Sequence, residues 1–120
     1  MIFWTFSSNV ADLVAAANHL RKTYRAPAIL IGHSLGGAAV LAAASQVPEA
    51  RAVATIAAPA DPSHVTGLFQ QHVPDIHAKG EVEVALAGRP FRIRKEFLDD
   101  IGMQKLEHCL RDLRDRKSVV

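Results

Sequence analysis

Gly32-His33-Ser34-Leu35-Gly36 sets one serine midway between two glycines. A serine hydroxyl is a weak nucleophile until its surroundings activate it. The spacing G-x-S-x-G suits a sharp strand-to-helix turn that forces the serine into a strained backbone conformation and lifts its hydroxyl clear. Side chains at the flanking positions would collide in such a turn, which is the expected reason for Gly32 and Gly36. Ser34 is therefore read as a nucleophile, with Gly32, His33 and Gly36 forming the turn around it. The backbone N–H of Leu35, at the start of the next helix, is the expected donor to a developing oxyanion. A glycine-rich turn that only packs a helix closely on a strand is the competing reading of the same residues.

The flanking segments supply that setting. Ala28-Ile29-Leu30-Ile31 is a continuous apolar run. It does not alternate, so it predicts a strand buried on both faces, as in parallel sheets. Gly36 to Gln46 is alanine-rich nearly all round and predicts a buried helix, closed by Pro48. Val53 to Ala57 lies in a second apolar run, ended by Pro59. Together these predict adjacent parallel strands joined by a right-handed crossover helix, with Ser34 in the tight turn. Before them, Ser7, Ser8 and Asn9 offer N-caps, and Val10, Leu13, Val14, Ala17, Leu20 and Tyr24 recur at helical spacing. That helix is expected to end near Arg25, ahead of Pro27.

After Asp61 the texture changes. Val65, Leu68 and Phe69 predict a short helix stopped by Pro74. Glu81 to Leu86 alternates, as does Phe91 to Arg94, with Gly88 and Pro90 in the turn between, so a hairpin with one wet face is expected. Phe97, Leu98, Ile101, Leu106, Cys109, Leu110 and Leu113 predict one or two closing helices.

The chain has 120 residues, 49% hydrophobic and 22% charged, with a formal net charge of +2, the balance of one small globular domain. Near the C-terminus Arg111, Arg114, Arg116 and Lys117 alternate with Asp112 and Asp115, a solvated helix face and not a nucleic-acid patch. Cys109 is the only cysteine, so no internal disulfide can form, and it reads as a small buried apolar residue. Met1 to Phe6 is too short for a signal-peptide core. No apolar run is long enough to span a bilayer. A cytoplasmic protein that binds neither nucleic acid nor membrane is expected.

The run APAILIGHSLGG resembles the fifth strand and nucleophile elbow of the α/β-hydrolase superfamily. The resemblance extends from about Phe6 to about Leu113. FSSNVADLVAA, AVATIAAPADPSHV and LAGRPFRIRKEFLDDI are most similar to the hydrolase part of bacterial proteins that join an α/β-hydrolase to an OsmC-like domain. The resemblance implies a partial α/β-hydrolase fold in one domain: a core over 6–60, a cap-like insertion over 61–113 and an unassigned tail over 114–120. The cap is expected on the Ser34 side of the sheet, with part of Val65, Leu68 and Phe69 lining a pocket. It implies a serine hydrolase acting on esters, thioesters or related small acyl compounds, without metal or cofactor. The family triad runs Ser, Asp, His along the chain, and the positions expected for the acid and the histidine fall beyond Val120. The loop giving the second oxyanion donor would precede Phe6. A truncated, catalytically inactive fragment, or a non-enzymatic interaction module, is the alternative, completed in full-length relatives by the missing hydrolase segments or the fused OsmC-like domain.

Asp61 follows the second strand, where some family members carry the acid; as a loop residue before Pro62 it also suits a helix cap. His33 is expected to point away from the hydroxyl. His19 reads as helix surface, His64, His72 and His77 as surface or pocket-lining residues of the cap, and His108 as part of the closing helix. No metal-ligand spacing occurs, and Gly36-Gly37 lacks the Gly-Lys-Ser/Thr of a phosphate loop.

Overall fold

The computed structural model describes residues 5–59, 67, 70–86, 88–102, 106–114 and 118–119. Helix α1 spans Phe6–Thr23. Its cap, Thr5, lies two residues before the Ser7-Ser8-Asn9 cluster. The Ser8 N–H donates to the Thr5 hydroxyl at 3.0 Å, and the Thr5 N–H donates to Ser8 Oγ at 2.8 Å. This reciprocal capping box satisfies two donors at once, with serine where glutamate is more usual. Arg21 and Lys22 stand in the last turn, where cations complement the helix dipole. The Arg21 guanidinium also forks onto Glu49, its Nη2 donating to Oε2 at 2.7 Å. That hydrogen bond and the opposite charge raise the Arg21 pKa above its ordinary value. Tyr24, expected on the apolar stripe, lies past the helix end and is exposed.

Strand β1 (Ile29–His33) leads into α2 (Leu35–Ala43), whose last turn tightens to a 3-10 turn over Ala44–Gln46. Strand β2 (Ala52–Ile56) then pairs with β1 in parallel, in register from Ile29↔Ala52 to His33↔Ile56. The predicted strand–helix–strand unit and its parallel pairing are thus observed. The expectation of burial on both faces is not met. Along β1 Leu30 and Gly32 are buried while Ile29, Ile31 and His33 are exposed. Ile29, Ile31 and Ile56 are 57%, 66% and 58% exposed, because α1 and α2 pack on the Leu30 side and nothing among the described residues covers the other. The sequence carries apolar residues for two faces; the described chain covers one.

Pro74 corrects another expectation. It sits in the first turn of α3 (Val73–Lys79) and starts a helix instead of stopping one. A first-turn proline loses no intrahelical hydrogen bond and has its φ already set. Gly80, at φ 82°, closes α3, donating to the Ile76 carbonyl at 2.8 Å. The expected helix around Val65, Leu68 and Phe69 lies outside the described residues. Strands β3 (Glu81–Leu86) and β4 (Arg89–Arg94) form the expected antiparallel hairpin. Gly88, at φ 76°, makes the turn. Pro90 is not in it; it lies within β4 opposite Ala85, tolerable because a two-stranded ribbon leaves edge positions. The wet face pairs Glu81 with Arg94 and Glu83 with Arg92, and Arg94 Nε approaches Glu81 at 3.2 Å. Val84 and Ile93 are buried on the other face.

The closing helices are α4 (Lys95–Gly102) and α5 (Glu107–Arg114). Both pack on the helical side of the sheet, α4 against α1, and α5 against α2 and the 3-10 turn. Cys109 is half-buried against the core, less enclosed than expected. The tail adds an unexpected strand: β5 (Ser118–Val119) pairs in parallel with β2, giving the sheet order β1-β2-β5. One core joins these parts, from Phe6 and Ala17 through Val40, Val47 and Val53 to Ile76, Ile93, Phe97 and Ile101. No helix of the described residues is long and apolar enough to cross a membrane.

Candidate active site

Ser34 occupies the single residue between β1 and α2, at φ 54° and ψ −125°. This lies outside the conformations open to an unstrained L-residue. Its N–H donates to the Ile56 carbonyl at 2.8 Å, holding the turn against the end of β2. Its carbonyl receives the N–H groups of Gly37 at 2.9 Å and Ala38 at 3.3 Å, which starts α2. Strand, turn and helix therefore grip Ser34 from three directions, and that grip maintains the strain.

The glycines divide their work differently from the expectation. A Cβ on Gly32 would lie 2.3 Å from the Gly36 carbonyl oxygen and 2.6 Å from the Gly37 α-carbon, so the helix start leaves no room there. A Cβ on Gly36 would meet nothing within 4 Å. The second steric requirement falls on Gly37, where a Cβ would lie 2.6 Å from the Ala58 Cβ and 3.1 Å from the Gly32 carbonyl oxygen. The motif's second glycine is thus not the one that closes the helix on the sheet in the described chain; the next residue is.

Leu35 is the first residue of α2, so its N–H has no intrahelical acceptor and points out of a helix N-terminus, where negative charge is favoured. His33 ends β1, exposed, on the same side as Ile29 and Ile31. His19 is exposed on α1, His77 on α3 and His108 on α5, while His72 is half-buried just before α3, 3.2 Å from the Gln71 amide. Among the described residues none hydrogen-bonds the Ser34 side chain. Asp61 and His64 lie outside the described residues. No group of three histidine, cysteine or acidic residues able to hold a metal occurs among those described.

The description of the alpha/beta hydrolase family matches residues 4–117, nearly the whole chain. The chain belongs to that family. Its partial alpha/beta hydrolase fold, a parallel strand pair with helices, also resembles the crystal structure of an esterase domain from a Rhodothermus marinus protein, with a TM-score of 0.64 and 45% sequence identity. The match covers 92% of this chain and 45% of that one, so the chain spans less than half the length of that esterase domain. No functionally curated protein matches it. Within an alpha/beta hydrolase, a strand–turn–helix serine at positive φ is the setting the sequence motif requires.

Proposed function

We propose that the chain is the nucleophile-bearing part of a serine hydrolase acting on esters, thioesters or related acyl compounds. The observation that carries this reading is Ser34 at φ 54° between β1 and α2. In the reaction Ser34 Oγ bonds to the acyl carbon as its proton passes to a histidine base. The carbonyl oxygen becomes an oxyanion, to which the Leu35 N–H donates. The collapse of that intermediate expels the leaving group, which takes the proton, and water then releases the acyl group. The esterase-domain neighbour supports an ester as substrate. The narrower likeness, to hydrolases joined to an OsmC-like domain, rests on the three segments quoted above and is part of the proposal, as is a cytoplasmic location. The Pro62–Leu113 cap is also part of it.

A second reading, a catalytically silent module, is favoured by one observation: no described residue hydrogen-bonds the Ser34 hydroxyl. A serine without its base stays protonated near neutral pH, and triad members act as a unit. The isolated 120-residue chain is therefore expected to turn over short-chain nitrophenyl esters little, while a fluorophosphonate probe labels Ser34 slowly and fails on Ser34→Ala. Equal labelling of both proteins would refute the nucleophile. Robust Ser34-dependent turnover would refute the inactivity and point to Asp61 with a cap histidine as a local triad.

A further inference from the structure

Two described residues other than glycine have positive φ, Ser34 at 54° and Ala57 at 52°. They stand side by side. His33 and Ile56 are the last Cα partners of the β1–β2 ladder, and each strand leaves the sheet through a left-handed residue immediately afterwards. A left-handed alanine is uncommon and persists only where its surroundings over-determine it.

The surroundings of Ala57 are the Ser34 turn. The Ile56 carbonyl that accepts the Ser34 N–H belongs to the peptide joining Ile56 to Ala57. The φ of Ala57 sets how that peptide is oriented relative to the chain beyond it. One residue further on, Ala58 lies directly beneath the start of α2, where a Cβ on Gly37 would come within 2.6 Å of it. The Thr55 Cβ lies 3.4 Å from the same point. Residues 55–58 therefore meet the turn at two points, the Ser34 amide and the Gly37 α-carbon. With an ordinary negative φ at Ala57 only one of these contacts can survive: either the carbonyl turns away from Ser34 or Ala58 leaves Gly37.

We infer that Ala57 is a positioning residue for the nucleophile. Its left-handed backbone couples the end of β2 to the Ser34 turn and holds the Ser34 backbone where its hydroxyl is presented. A glycine in its place would reach positive φ without strain and several further conformations as well, so it would hold the junction less tightly. The strain at Ser34 and the strain at Ala57 are two ends of one hydrogen bond. The inference deepens the hydrolase reading and rests on it only for its chemical consequence.

The test uses the full chain and two readouts. One is amide hydrogen exchange at Ser34, referenced to Leu41 in the middle of α2; the other is the fluorophosphonate labelling rate at Ser34. Ala57→Gly is expected to keep the melting temperature while speeding Ser34 exchange about tenfold relative to Leu41 and slowing labelling by a similar factor. Ala57→Asn, a residue that tolerates left-handed backbone, is expected to stay within about twofold of wild type in both. Unchanged Ser34 exchange in Ala57→Gly, or Ser34 and Leu41 changing in equal proportion, would overturn the inference. Loss of labelling specificity in the wild-type chain would instead sink the hydrolase reading, and the exchange comparison would still decide the role of Ala57.

Discussion

The Asp100 carboxylate accepts two hydrogen bonds from Ser7, one from its backbone N–H at 2.7 Å and one from its hydroxyl at 2.5 Å. The first turn of α1 has no acidic residue of its own. Asp100, on α4, supplies the missing negative charge at the positive end of the helix dipole. The contact ties α4, in the C-terminal part of the chain, to the start of α1.

Asp100→Ala is expected to cost about 1 kcal/mol of unfolding free energy, read from the urea midpoint. Asp100→Asn keeps an acceptor but not the charge and should recover part of the loss. An unchanged midpoint in Asp100→Ala would show that the contact adds nothing to stability.

Gly32 and Gly36 make a matched pair. Gly32→Ala drives a Cβ into backbone and is expected to cost about 3 kcal/mol or more, or to abolish folding. Gly36→Ala adds a Cβ into open space at the start of a helix and is expected to stabilise by about 0.5–1 kcal/mol. Equal effects, measured by thermal and urea melts, would contradict the steric assignment.

Strain at Ser34 predicts a gain on its removal. Ser34→Gly adopts φ 54° without penalty, and the relief outweighs the added freedom of the unfolded chain. The expected result is a rise of about 1 kcal/mol in stability together with loss of probe labelling. A fall in stability would mean that Ser34 is held in place by more than its backbone.

The uncovered isoleucines make the last prediction. Ile29→Thr combined with Ile31→Thr is expected to lower stability by less than about 1 kcal/mol while reducing self-association, followed by sedimentation velocity. Identical association in both proteins would place the sticky surface elsewhere.

The elbow and the strand pair were legible in the sequence because two apolar runs and an alanine-rich helix leave few other arrangements, and because the first glycine of the motif, Gly32, has a steric reason. Other features were hidden for identifiable reasons. Thr5 competed with three equally good caps just after it, and only the reciprocal bonds with Ser8 decide between them. Pro74 reads the same as a stop or a start until the chain on either side is seen. Ser118 and Val119 are too few to give any periodic signal, and they pair only because β2 lies beside them. The exposure of Ile31 reflects what does not cover it, which no local pattern reveals. Ala57 carried no signal at all, since alanine is common everywhere and its φ is set by contacts with the turn at Ser34.

The parallel pairing of β2 with β5 has a consequence for biosynthesis. β1, α2 and β2 are contiguous, so the ribosome delivers that unit as one piece and it can form as soon as it emerges. The strand that flanks β2, Ser118–Val119, is made much later. About sixty residues separate them, and at about 5–20 residues per second the wait is roughly 3–12 seconds. Throughout that interval a nascent chain presents β2 with a vacant hydrogen-bonding edge beside an already formed elbow, so a neighbouring nascent chain on the same message can compete with β5 for that edge.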